Sequence, residues 1–316
     1  MPHPRPTLSI CIPTYNRVET LKPLLDGIYH QLRVGYTSCL KVTGPHAGDV
    51  EVVVSDNASD DGTAALVRSY RTKLRALTYT RAPRNLGFDT NVLRAVGAAR
   101  GELVWLVGSD DRVCDGAIMR ILDTAKNCPG AIIVGDVHTM HADGTLVAYE
   151  PTTRWPDYSA FWLHEHGAIA RYLNRAASVR AGFGFMSNVV LPRHRWPDDA
   201  EQWVGTYYLH MFAAWQMALA GVPVVTRQKT FVYATIGHPN RRDHETASAT
   251  RHAVDTVTHL SHLCPPGRDR VAMQRLWRLE YPAWRLKSLE ERCKREPTWA
   301  FTKQMLDRLL GGRAVR

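Results

Sequence analysis

The chain has 316 residues, 45% hydrophobic and 22% charged, a composition that excludes disordered, collagenous and disulfide-dense chains. No apolar run reaches the roughly 18 residues of a membrane-spanning helix, Met1-Pro2-His3-Pro4-Arg5-Pro6 lacks an apolar export core, and six scattered cysteines show no Cys-x-x-Cys pair; a cytoplasmic protein is expected. A formal net charge of +10 admits nucleic acid, an anionic membrane face or a polyanionic substrate, but no helix-turn-helix, zinc-finger or RNP pattern is present, so nucleic acid is not an expected partner.

Residues 7–13 read as a short strand ended by Pro13. Leu21, Leu24, Leu25 and Ile28 place a helix over 18–32, and the Gly-, Thr- and Ser-rich stretch 33–49 reads as a loop. Residues 50–55 form a β-branched strand that runs into Asp56-Asn57-Ala58-Ser59-Asp60-Asp61-Gly62-Thr63. That polar turn caps a helix passing through Leu66 and Tyr70. Residues 77–80 are a third strand, followed by Asn85-Leu86-Gly87-Phe88-Asp89 and a helix of small residues over 91–100. The strand 103–107 ends in Gly108-Ser109-Asp110-Asp111, and a helix over 117–127 leads to a strand over 131–135. This alternation predicts a parallel, doubly wound sheet. Residues 136–180 show little periodicity and read as loops. A strand over 185–191, an apolar helix over 207–219 closed by Gly221, and a strand within 222–232 follow. Residues 246–316 read as a basic helical extension with Trp277, Trp284 and Trp299 among Arg and Lys.

Asp110 and Asp111 carry the most chemistry. Two carboxylates at the carboxyl end of a buried strand stand where open α/β sheets bind ligands, and charges there need a cation. Mg²⁺ or Mn²⁺, held by one or two carboxylates and a substrate diphosphate, is the usual one. A solvated turn that caps the next helix is the plain alternative. Pro13-Thr14-Tyr15 ends the first strand beside the same crevice, where amides and an aromatic ring can hold a base and ribose. Asp56 can accept hydrogen bonds from a base edge or ribose, or can simply form its own turn. Gly87 permits close backbone approach to a ligand beside Asn85. Arg81 and Arg84 are within reach of a diphosphate or merely solvated.

Ser9 to Arg17, Val54 to Thr63, Asn85 to Asp89 and Gly108 to Asp111, in that order, resemble the motifs of glycosyltransferase family 2. The resemblance spans about residues 7–135. The Asn-x-Gly-Phe-Asp and Gly-x-Asp-Asp variants look closest to the abequosyltransferase-like branch, which builds bacterial surface polysaccharides. It implies a GT-A fold over 1–245, with a donor half (7–135) and an acceptor half (136–245). It also implies inverting transfer from a UDP-, dTDP-, CDP- or GDP-linked sugar to a hydroxyl, on a glycan or lipid-linked glycan. The donor-binding set it implies is Pro13, Thr14, Tyr15, Arg17, Asp56, Asn57, Asn85, Gly87, Asp89, Ser109 and Asp110. Asp110, Asp111 and His238 are the implied holders of Mn²⁺ or Mg²⁺. The chain departs from the family's Asp-x-Asp at its first position, where Gly108 stands.

Inverting transfer needs a base on the acceptor hydroxyl. Counted back from Ala220-Gly221, His210 falls where family members carry an acid, and imidazole can serve near neutral pH. Asp198, in Trp196-Pro197-Asp198-Asp199, is the competing candidate. A core histidine and a surface helix cap are the plain alternatives. The other functions kept open are transfer to a small-molecule acceptor and non-catalytic binding of a nucleotide sugar. The basic extension adds an expected peripheral contact with the inner membrane face, against simple packing on the core.

Overall fold

A computed structural model of the chain describes residues 5–34, 49–236 and 267–278. β1 (Leu8–Thr14), β2 (Val50–Asp56), β3 (Leu77–Arg81) and β4 (Leu103–Leu106) pair in the order β3-β2-β1-β4, all parallel. β1, β2 and β4 are buried along their whole length, which is why they lack an apolar–polar alternation. Successive side chains still divide between two faces. Ile10, Ile12, Val52 and Val54 meet Leu21, Leu24, Leu25 and Ile28 of α1 (Val18–Val34), together with Val67 of α2 (Thr63–Ser69) and Ile118 and Ile121 of α4 (Ala117–Asn127). Cys11, Val53 and Val104 meet Val92, Ala95 and Val96 of α3 (Phe88–Ala98).

Beyond β4 the sheet continues through β9 (Val189–Pro192), antiparallel to β4 and to β6 (Ile132–His141). β10 (Val224–Ile236) lies parallel to β6, and β5 (Arg112–Val113) closes that side antiparallel to β10. β1, β2, β3, β4, β6 and β10 thus share one direction, as the strand–helix alternation predicts. α6 (Leu209–Leu219) is apolar all round, the pattern of a helix enclosed on every side. Its Met211, Phe212 and Trp215 join Val134, Val189, Leu191 and Val224 of the sheet and Ile169, Tyr172 and Leu173 of α5 (Ala168–Leu173) in one core.

Residues 136–180 are more ordered than their sequence suggests. β6 runs on to His141 and turns back into β7 (Leu146–Glu150), and β8 (Ser159–Phe161) pairs with β10. β7 is exposed nearly throughout, so it has no buried face to impose a period on the sequence. The expected strand over 185–191 is instead a short 3₁₀ turn over 186–188 followed by β9.

Part of the basic extension docks on the α/β body. Met273 and Leu276 of α7 (Arg268–Arg278) enter the core around α6. The buried Asp269 accepts the amides of Gly167 (3.1 Å) and Ala170 (2.7 Å) at the start of α5. The expected boundary between 245 and 246 lies outside the described residues, as do His238 and residues 279–316. Among the described residues, no helix is long and apolar enough to cross a membrane.

Candidate active site

The strand order reverses between β1 and β4, and the crevice beyond the strand ends at such a point is where open α/β sheets bind ligands. Register fixes what faces it. Thr14, Asp56 and Arg81 stand in one row at the ends of β1, β2 and β3. Leu106 pairs with Cys11, so the turn Gly108 to Asp111 leaves β4 at the same edge.

The turns after β1 and β2 are tied to each other. Asn16, in the left-handed region at φ 50°, donates its amide to Ser59 Oγ (2.9 Å), and its Oδ1 accepts the Asp60 amide (3.0 Å). Asp61 accepts from the amide of Val18, the first residue of α1, and from the amide and hydroxyl of Thr63, the first of α2 (2.8, 3.1 and 2.6 Å). Against the cost of burial, the bonds from Thr63 and Val18 hold the Asp61 carboxyl below the usual range.

Asp56 is fully buried. Its Oδ1 accepts the Ser59 amide (2.8 Å), and its Oδ2 accepts the Tyr79 hydroxyl (2.6 Å) with Arg81 Nε at 3.4 Å. Burial and this bond push the Tyr79 hydroxyl well above its ordinary pKa. Asp56 therefore forms its own turn and fixes Tyr79 and Arg81. Asn57 bonds Asn85 Oδ1 (2.7 Å), the Gly87 carbonyl (3.1 Å) and the Leu86 amide (2.9 Å), so Asn57, Asn85 and Gly87 make one wall. Asp89, also buried, accepts the amides of Gly205 and Tyr207 (2.8 and 2.9 Å), and Phe88 stacks on Tyr207. It joins the start of α3 to the loop that leads into α6. Pro13 and Ser109 are buried, whereas Tyr15 is 44% exposed at the rim.

The two adjacent aspartates part ways. Asp110 reaches across the switch point to Arg17, Nη1 to Oδ2 2.5 Å, and keeps 34% of its side chain exposed. Asp111 turns inward and is buried. Its Oδ2 accepts the Ser187 hydroxyl (2.5 Å), and Thr235 N lies 3.4 Å from Oδ1. Burial first, and then the charge of Asp110, raises the Asp111 pKa, opposed by the Ser187 bond. Gly108 suits the turn for packing reasons, since a Cβ there would lie 2.9 Å from Asp111 Oδ2 and 3.1 Å from Asp110 Oδ1. The buried Glu51, at the opposite end of β2, shows the contrast. It is saturated by Ser9 (2.6 Å), Arg100 (Nε, 2.9 Å) and the Gly101 amide (3.2 Å), as a structural carboxylate should be.

His210, in the first turn of α6, is 5% exposed, and neither ring nitrogen makes a hydrogen bond of ordinary geometry. Burial lowers its pKa to about 4, with the Gly184 backbone working the other way. Gly184 is three residues from Ser187, so His210 backs onto the segment that holds the carboxylate turn. Asp198 is placed differently. β9 is antiparallel, so it ends at Pro192 beside Leu103, the start of β4 and the sheet edge away from Asp110. The chain sets out from that edge toward Asp198, whose side chain is exposed. Sequence reasoning missed Ser187, Asp61 and Tyr79 as members of the site. All three act across turns or at long separation, where no local pattern signals them.

The family model for glycosyl transferase family 2 matches residues 9–188. The chain belongs to glycosyltransferase family 2. It is 30% identical to abequosyltransferase RfbV of Salmonella typhimurium over 65% of its own length and 59% of that protein. It is 43% identical to validoxylamine A glucosyltransferase of Streptomyces hygroscopicus subsp. jinggangensis over 48% of its length and 31% of that protein. The chain thus spans less than two thirds of these curated relatives. Staphylococcus aureus TarS 1–349 matches 96% of the chain and 81% of its own at TM-score 0.63 and 15% identity. The Pyrobaculum calidifontis mannosyltransferase PcManGT, in complex with GDP-Man and Mn²⁺, matches 98% and 86% at TM-score 0.55 and 18% identity. These two likenesses are of fold, and the fold is GT-A.

Proposed function

We propose that this family 2 glycosyltransferase is inverting and moves a sugar from a nucleotide-sugar donor to a hydroxyl of a bacterial surface glycan or its lipid-linked precursor. The observation that carries the reading is the pairing of Arg17 with the half-exposed Asp110 across the switch point, a cation and an anion poised where a diphosphate and its metal would lie. Solved proteins of like fold were captured with UDP, UDP-GlcNAc or GDP-Man, and 30% identity to an abequosyltransferase supports the surface-glycan role.

The residues fit a divalent cation. Among the described residues no group of three or more His, Cys, Asp or Glu could form a dedicated metal cage. One exposed carboxylate with a buried second behind it is what Mg²⁺ or Mn²⁺ needs when substrate phosphates and waters complete its shell. Asp110 would hold it, and a bound ion would neutralise charge on the departing diphosphate. The row of Thr14, Asp56 and Arg81 frames the nucleoside, with the exposed ring of Tyr15 above it. Arg17 exchanges Asp110 for phosphate oxygens, to which guanidinium is well matched. In the transfer the acceptor oxygen bonds the anomeric carbon as the bond to the diphosphate oxygen breaks. The hydroxyl proton passes to His210, which burial keeps neutral at the cost of making it a weaker base; Asp198 is the competing base.

Transfer to a small-molecule acceptor is a second reading, favoured by the 43% identity to validoxylamine A glucosyltransferase. A thermal-shift panel of UDP, dTDP, CDP and GDP with Mn²⁺ tests donor binding. A ligand at 100 times its Kd stabilises by about 2.7 kcal/mol. Turnover of the matching nucleotide sugar then separates an enzyme from a binding protein. No shift with any of the four would refute the donor reading.

A further inference from the structure

We propose that Ser187 is a positioning residue of the donor site, whose hydroxyl sets the turn that presents Asp110 to the metal and diphosphate. The inference rests on the donor-site reading above. Ser187 lies 76 residues along the chain from Asp111 and is fully buried. One hydroxyl grips both ends of the turn. It donates to Asp111 Oδ2 at 2.5 Å and accepts the amide of Gly108 at 2.9 Å. The turn is closed from within by the Asp111 amide on the Gly108 carbonyl, 3.0 Å. The Ser187 backbone is itself anchored, its carbonyl accepting Trp105 Nε1 of β4 at 2.8 Å.

Space on the other side of Asp111 is closed as well. Its carboxylate occupies the position where a side chain at 108 would go, since a Cβ there would lie 2.9 Å from Oδ2. The Ser187 hydroxyl and the space left by the bare Cα of Gly108 both act on Oδ2 and so fix Asp111, and with it the direction of its neighbour Asp110. Groups that orient a metal-binding carboxylate without touching the metal typically change metal affinity by about 10–100-fold when removed. Loss of the Ser187 hydroxyl also strips a buried carboxylate and a buried amide of a partner at once, and neither has water to turn to.

The test is Mn²⁺ binding to the full chain, followed by the electron paramagnetic resonance of free Mn²⁺, with and without UDP and GDP. Ser187→Ala should weaken Mn²⁺ binding about 10–100-fold, and Ser187→Thr, which keeps the hydroxyl, should recover most of it. Gly108→Ala presses on the same carboxylate oxygen, and on Asp110 Oδ1 beside it, and should weaken Mn²⁺ as well. In an Asp111→Asn background, Ser187→Ala should add little, because both act through one contact. A purely structural serine would lower the melting temperature but leave Mn²⁺ affinity of the folded protein unchanged in Ser187→Ala and Gly108→Ala, and that result overturns the proposal. Should Ser187→Ala fail to fold, Ser187→Cys, which keeps a side chain of that size with a much weaker donor, decides: weakened Mn²⁺ supports the proposal and wild-type affinity overturns it. Wild-type protein that binds no Mn²⁺ under any of these conditions overturns the metal reading itself, and the proposal with it.

Discussion

Replacing His210 by phenylalanine keeps a ring of similar size in the first turn of α6 and removes only its capacity to take a proton. The ordinary histidine pKa near 6.5 falls to about 4 in the folded chain because burial penalises the charged ring. Between those values the unfolded chain binds a proton that the folded chain refuses. His210 therefore costs the wild type stability as pH falls through this window and leaves it untouched above pH 7. Linkage over that gap gives a loss of about 2–3 kcal/mol between pH 7 and pH 4.5. Other groups titrate there too, so the quantity to measure is the difference between wild type and His210→Phe in urea unfolding at the two pH values. The variant should lose about 2–3 kcal/mol less than the wild type over that range. It should also turn over roughly 10²–10⁴-fold more slowly if His210 is the base, and wild-type activity should persist down toward pH 5 instead of fading at 6.5. Equal pH dependence of stability in the two proteins would refute the burial argument. Unchanged turnover with the expected stability difference would make His210 a packing residue and leave Asp198 as the remaining candidate.

Asp110→Asn removes the exposed charge facing Arg17; calorimetry should show nucleoside diphosphate binding with Mn²⁺ lost while the melting temperature holds, and retained binding would discard Asp110 as the metal ligand. Asp56→Ala frees the Tyr79 hydroxyl and the Ser59 amide in a buried place, so a loss of about 1–3 kcal/mol in unfolding free energy is expected together with weaker nucleotide binding; a drop in stability alone would confine Asp56 to the turn. Asp269→Ala unties α7 from the start of α5 and should cost about 0.5–2 kcal/mol, as lost helix caps do; denaturation that matches the wild type would mean α7 is held by Met273 and Leu276 alone. Liposome flotation at low and high salt tests the basic extension: capture by anionic but not neutral vesicles, reversed by salt, is the expected outcome for a peripheral protein, and no capture at low salt excludes it.

The sequence by itself determined the N-terminal part of the sheet. β1, β2, β4, α1 and α4 are spelled by local patterns, since strands buried on both faces are largely apolar and the helices must turn Leu21, Leu25, Ile118 and Ile121 to the sheet. Motif residues at strand ends fall at one edge because parallel strands share a direction, so Thr14, Asp56, Asn85 and Asp110 were legible as a group. The exposed β7 was not, because no buried face there demands a period; nor was the part of β6 beyond Gly135, which is largely buried but mixes polar Asp136 and Thr139 with Val137 and Met140. Nor could any local signal say which of two neighbouring aspartates would face the crevice. That was settled by Ser187, delivered by the segment before the antiparallel β9, and by the space left at Gly108. Likewise Asp61 reaches α1 from the next turn, and Asp269 holds α5 from about a hundred residues away. Such partners meet only because the whole chain has folded, and a hydrogen bond between distant residues leaves no spacing in the sequence by which to find it.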